Sequence, residues 1–388
     1  MLKKFIVLFR RIWGSQAVSY RTLIPGVILM LILFLVPTGF EDAVIYQGAD
    51  KVKAIVTEVD DSAIRSVGLI RSGEQICTVK IEGGRFKGQI VKATNLLFGS
   101  LSQDKEFSVG DEVLVAVSYD DAKITSVTMI DHFRIGWELL LVIIFTSFLI
   151  VFAGPGGIRA MLSFVITVLC IWKVMIPFCL NGGNAIVCGL FIITLLTVII
   201  ILFVYGFNIC SVVAISGSML GVITACVLGV IFTYALKLHG AIMTDSESLL
   251  YSGYEHLNLT QIFMASIFVG ASGAMMDLSV DITSGMCEVI RKKPNIGKLE
   301  LIGSGIRIGQ AAMGTMTTTL LLAYTGSCIT QLMVFMAQGT PIINILNYKY
   351  IAGEILQTLA GSFALVTVAP FTAIVGGLVL SKKPKNQN

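Results

Sequence analysis

From residue 134 to the C-terminus the chain is almost continuous apolar sequence, cut by short polar joints. The uninterrupted runs fall at 135–153, 159–180, 184–205, 209–236, 260–287, 304–325 and 352–380. Runs of about 18 residues or more with few charges are read as membrane-spanning helices. An earlier run at 22–40 brings the expected number to about eight. The stretch 328–346 is apolar but interrupted by Gly339 and Pro341, which suits a re-entrant hairpin or an interfacial segment. Residues 41–133 follow a different rule, with apolar positions that alternate or form short runs. Strands are expected at 51–58, 68–70, 75–81, 86–93, 112–118 and 123–129, separated by turn signals such as Glu82-Gly83-Gly84 and Val109-Gly110-Asp111. Five or six short strands in so few residues suggest a small β-barrel of OB type. The expected fold is therefore an α-helical polytopic membrane protein with a small extracytoplasmic OB-like β-barrel between helices 1 and 2. Three parts follow: 1–40, a basic amphipathic N-terminus and first transmembrane helix; 41–133, the β domain; and 134–388, a seven-helix membrane bundle.

Composition agrees with this division. Hydrophobic residues make up 55% of the 388 and charged residues 13%, about half the charge of a soluble domain. The net charge of +4 reflects topology more than a partner. Lys3, Lys4, Arg10, Arg11 and Arg21 precede the first span, interleaved with Phe5, Ile6, Leu8, Phe9, Ile12 and Trp13. That pattern suits a helix lying on an anionic bilayer surface. With the N-terminus cytoplasmic and eight spans, Arg159, Arg291, Lys292, Lys293, Lys298, Arg307, Lys382, Lys383 and Lys385 also fall inside. Only Lys237 and Lys349 lie in outer loops of the bundle. This asymmetry obeys the positive-inside rule and places both termini in the cytoplasm, with 41–133 outside. No basic face interleaved with aromatics argues for nucleic acid. Seven of the eight cysteines fall in or beside apolar runs, none in a C-x-x-C pair, so they read as small buried apolar residues, not a disulfide framework. The scattered histidines give no metal spacing, and no hydrolytic or phosphate-binding motif occurs. No enzyme, cofactor or metal is expected.

The candidate chemistry lies in 270–294. Asp277, Asp281 and Glu288 share one helix face, since positions four and eleven after Asp277 return to within about 40° of it. Gly270, Gly273 and Ser284 lie near the same line. An acid facing lipid is costly, so this face is expected to turn toward protein or a water-filled cavity. Asp277 is the deepest of the three, roughly 15 Å in by helix rise. Glu288 is expected at the interface, paired with Arg291 or Lys292 by spacing. In the seventh span Gln310 and Thr317 are expected to meet the acids from the antiparallel neighbour. Intramembrane carboxyls of this kind mark proton relays, while the competing reading is a buried Asp that fixes helix register. Glu354 opens the eighth span, which Pro370 interrupts. Gly217, Gly221, Ala225 and Gly229 recur every four residues, as do Ala311, Thr315, Thr319 and Ala323, and then Ala369, Ala373 and Gly377. Such spacing allows close helix approach, and Gly270, Gly273 and Gly314 are expected to serve likewise.

Two segments carry a resemblance. Gly273-Ala274-Met275-Met276-Asp277 with Glu288 beyond, and Ile308-Gly309, Gly314-Thr315-Met316-Thr317 and Leu320 to Tyr324, resemble the paired signatures of the YibE/F-like bacterial membrane proteins. The resemblance implies a multi-span protein of the bacterial plasma membrane and a paralogous membrane partner lacking the β domain. This chain departs from the family pattern at Gln310-Ala311, where an Arg-Asp pair is usual, and at Asp281, where a small polar residue is usual. Two functions are carried forward. One is a permease-like device coupling proton movement to an unidentified solute, with Asp277, Asp281, Gln310 and Thr317 on the path. The other is a non-transporting scaffold or envelope accessory factor whose β domain binds a partner protein.

Overall fold

The computed structural model describes residues 20–41, 46, 48–121 and 123–381. Apart from the backbone of Tyr20 and Arg21, the basic N-terminal segment and the three C-terminal lysines lie outside the described residues. The chain forms two compact units, Phe40–Phe148 and the remainder.

In the first unit, β1 (Ala49–Val67), β2 (Ile70–Ile81), β3 (Ile90–Phe98), β4 (Glu112–Asp120) and β5 (Lys123–His132) close into a barrel in the order β1-β2-β3-β5-β4. β3 and β5 pair in parallel at Thr94 and Thr128, and the other neighbours are antiparallel. This is the OB-type arrangement. Period-two alternation puts Cys77, Val79 and Ile81 of β2 and Val113, Val115 and Val117 of β4 inside, with Phe86 and Phe107 buried in the same core. Two corrections arise. Residues 68–70 are not a strand of their own: Gly68, at φ 63°, turns β1 into β2. β1 runs on to Val67 through register shifts between Val56 and Glu58 and between Asp60 and Ala63. Such bulges bend a long strand around a barrel and break the alternation that would have revealed it. The third strand begins at Ile90 instead of 86, because Phe86 sits in a loop and plugs the core.

Two polar side chains inside the barrel are hydrogen-bonded. Gln75 donates to the Asp61 carboxylate (2.9 Å) and the Phe107 carbonyl (3.1 Å), while its own carbonyl accepts from the Phe107 amide and Asn95. Asn95 also donates to the Lys105 carbonyl (2.5 Å). The connection between β3 and β4 is thus pinned to the barrel. The Asp104 carboxylate anchors its start by accepting from the amides of Phe98, Gly99 and Ser100.

The helices are α1 (Tyr20–Leu35), α2 (Ile135–Ala153), α3 (Pro155–Leu180), α4 (Ala185–Tyr205), α5 (Ile209–Ala235), α6 (Ser246–Tyr251), α7 (Leu259–Lys292), α8 (Lys298–Ser327), α9 (Ile329–Ala337), α10 (Ile342–Asn347) and α11 (Lys349–Leu380). Among the described residues six helices are long and apolar enough to cross a bilayer: α2, α3, α4, α5, α7 and α11. A seventh is the pair α8–α9, bent by 59° at Cys328. The described part of α1 is a further apolar helix of 16 residues. The expected break near 328–346 is this bend followed by the short α9 and α10. α3 contains a π-helical turn, Ile171–Met175, around Lys173.

α7 is the central helix, packed on α4, α5, α8 and α11. The small residues of α5 work as the spacing requires: Gly217 faces Thr372, Gly221 faces Val368 and Met275, and Gly229 faces Ile267, with Ala225 fully buried. Ala369 and Ala373 of α11 rest on Gly309 and Gly305 of α8. At the centre, Thr372 donates to Ser279 (3.2 Å) and Ser279 to the Ala214 carbonyl (2.6 Å), joining α11, α7 and α5. Three expectations of packing are corrected. Ala311, Thr315, Thr319 and Ala323 are exposed, and Gly273 and Gly314 have open space where a Cβ would stand. α8 packs through Gly305 and Gly309 instead, because the register with α11 selects that face.

Candidate functional site

α7 buries Ala271, Met275, Leu278, Ile282 and Met286 against its neighbours. The opposite line carries Gly270, Gly273, Asp277, Asp281 and Ser284, and all five are exposed in the single chain. The acids do share one face, as the periodicity requires, but that face does not turn into the bundle. The reason is that the apolar line opposite is the one α5 and α11 take up. Water, lipid or another chain must then cover Asp277, and lipid is the costly choice.

The facing helix does not supply the expected bonds. Gly270 stands against Tyr324 and Gly285 against Ile308, so Thr317 is level with Asp277. Among the described residues, however, no hydrogen bond joins Gln310 or Thr317 to either acid; Gln310 is exposed and Thr317 half-buried. Thr315, Thr318 and Thr319 donate to carbonyls of their own helix. Beside the acids, the Tyr205 hydroxyl reaches from α4 to the Val280 carbonyl (2.5 Å). Glu288 lies one turn from the basic end of α7, paired with Arg291 and with Lys292 (3.8 Å).

The other end of the bundle holds a cavity of about 720 Å³. Its walls come from the 237–258 connection, the start of α7, the α8–α9 bend and the start of α11. Glu354, at the opening of the last span, lies half-buried in its wall with Gln357 one turn further along. Gln357 leads inward: its amide nitrogen and the Tyr324 hydroxyl both stand within 4 Å of where a Cβ on Gly270 would be, the hydroxyl at 2.8 Å. Glycine at 270 leaves that notch open. The Tyr324 hydroxyl is buried there without a hydrogen-bond partner. From Gly270 to Asp277 is two helical turns on one face, about 10 Å.

Sequence reasoning missed the cavity residues Asp245, Gln331 and Tyr350, which come from separate segments and share no motif. It also missed the disulfide between Cys210 and Cys287, which corrects the reading of the cysteines for these two. They lie 77 residues apart, and only the packing of α5 on α7 brings them together. The remaining six are unpaired. Among the described residues no group of three His, Cys, Asp or Glu side chains is arranged to hold a metal ion.

The fold and these sites define a polytopic helical membrane protein carrying a closed five-stranded barrel ahead of its bundle. Residues 141–382 match the family described as YibE/F-like protein, and residues 46–132 match the YibE/F family N-terminal domain. The chain belongs to the YibE/F-like family. Neither a curated protein nor a solved structure matches it.

Proposed function

We propose that the protein is a proton-linked permease of the bacterial plasma membrane, with Asp277 as the carboxyl that exchanges the proton. In this reading the basic end of the bundle and both termini are cytoplasmic, and residues 41–133 and the 237–258 connection are outside. The observation that supports it is a line of polar groups: Gln357 of the cavity wall stands with Tyr324 beside Gly270, and Gly270 shares its helix face with Gly273, Asp277 and Asp281. Asp281 and Tyr205 continue the line toward the cytoplasmic end. Gln310 and Thr317 are assigned to the bordering helix, without direct contact to the acids. No enzymatic step is assigned.

The test is proton movement in proteoliposomes, followed with an internal pH dye while candidate solutes are added outside. A solute-dependent proton flux that Asp277→Asn abolishes and Glu288→Gln leaves intact supports the reading. Flux unchanged by Asp277→Asn removes it.

A second reading, a scaffold working through the barrel and a paralogous membrane partner, is favoured by a different observation. Val67, Ile70 and Phe98 stand exposed on one face at the β1–β2 hairpin, with Leu69 at the turn, and Ile70 touches Gly99. Exposed apolar patches on a soluble module mark contact surfaces. If Asp277→Asn leaves the cellular phenotype intact while removal of 41–133 abolishes it, this second reading stands and the first falls.

A further inference from the structure

We infer that the 720 Å³ cavity is a binding site for an organic cation bearing an apolar group, such as a substituted ammonium or phosphonium ion. The inference deepens the permease reading, on which it rests for the role of the site but not for the chemistry of its ligand. Three side chains with formal negative charge line the cavity, Asp245, Glu247 and Glu354, and no Lys, Arg or His does. Among the described residues none of these three carboxylates forms an ion pair or accepts a hydrogen bond. The ammonium of Lys349 is close by but lies on the Tyr350 ring, 5.2 Å from its centre. A concave space lined by one sign of charge beside low-dielectric walls concentrates counter-ions.

The size and spread of the acids select the kind of cation. They do not gather into a metal-binding group, and the space falls in the range of small-molecule sites, about 300–1,000 Å³. Phe263 gives the lining an aromatic face, which attracts cations and apolar groups alike, while the Tyr350 ring already carries the Lys349 ammonium.

Glu354 also lines a second hollow of about 190 Å³ with apolar walls, formed by Leu321, Leu332, Ile355 and Leu359. A carboxylate between a polar chamber and an apolar hollow fits a ligand with a charged centre and a hydrocarbon arm. Behind Gln357 of the cavity wall, the Tyr324 hydroxyl is buried beside the same Gly270 notch.

The test uses radiolabelled tetraphenylphosphonium and the full-length protein in zwitterionic nanodiscs, with protein-free nanodiscs subtracted. Saturable binding is expected, weakened at least tenfold by Glu354→Gln, weakened as salt rises, and unchanged by Glu288→Gln at the other end of α7. Neutral triphenylphosphine oxide should fail to compete. Absence of saturable binding, indifference to Glu354→Gln, or equal competition by the neutral compound overturns the assignment. Should Glu354→Gln not fold, the exposed pair Asp245→Asn with Glu247→Gln decides: reduced affinity supports the site and unchanged affinity overturns it. Cation binding without any proton flux keeps the site and removes the permease reading. Flux driven by other solutes without cation binding removes the site alone.

Discussion

Replacing Gly217 by alanine tests how tightly the bundle is seated around α7. A Cβ at 217 would overlap the Thr372 side chain and come within 2.9 Å of the Ser279 hydroxyl. Both are fully buried and form the hydrogen-bonded chain that ends on the Ala214 carbonyl. Forcing a methyl group into a packed interior costs about 1–3 kcal/mol. Displacing Thr372 from Ser279 adds roughly 0.5–1.5 kcal/mol for the lost bond. Against these, alanine gains about 0.5–1 kcal/mol over glycine in a helix. The steric and hydrogen-bond terms win, and the expected loss is on the order of 1–3 kcal/mol. The same substitution at Gly273, where a Cβ meets nothing, keeps only the helix gain and should be neutral to stabilising by up to about 1 kcal/mol. Unfolding of both variants by SDS titration in mixed micelles measures the difference. If the two variants agree within about 0.5 kcal/mol, the seam between α5 and α11 is not packed as described.

Other expectations concern the barrel and the ends of the helices. Burial in the barrel core pushes the Cys77 thiol up to about 11, so it should resist iodoacetamide at pH 8 in the folded protein and react once denaturant is added. Hydrogen bonds from the backbone at Phe98, and from Ser100 and Gly99, hold the Asp104 carboxyl below its ordinary value. A depressed carboxyl stabilises the fold above its unfolded pKa, near 4, and that contribution is lost as pH falls through the lower, folded value. Exchange protection of those three amides, corrected for intrinsic rates, should therefore fall below about pH 4, and protection that persists through pH 2 would contradict the assignment. A non-reducing peptide map should contain a species joining Cys210 to Cys287, and recovery of both as free thiols from protein alkylated before lysis would show that they are unpaired.

Much of the architecture was legible because burial leaves a periodic trace. Alternation marked the barrel strands, and the four-residue spacing of Gly217, Gly221, Ala225 and Gly229 identified a seam that the structure fills with α7 and α11. The period of 3.6 also placed Asp277 and Asp281 on one face. What that period does not specify is which face a neighbour will take. The small residues of α8 at 311, 315, 319 and 323 have the same spacing as those of α5, yet the register set by Gly305 and Gly309 leaves them exposed. The cavity left no trace because its walls come from four segments, one of which turns at Asp245 with φ 59°. The Cys210–Cys287 pair shows the same limit, since helix packing and not spacing made them neighbours.

The central claim is that water reaches Asp277 along the α7 face from the cavity end. Cysteines placed singly at Gly270, Gly273, Asp277 and Met275 in the full chain, and challenged in intact cells with a charged, membrane-impermeant methanethiosulfonate, test it most directly. The account predicts labelling at 270, 273 and 277 and none at 275, which faces the core. Modification of position 277 only by a lipid-soluble maleimide, with the charged reagent inert, would contradict it.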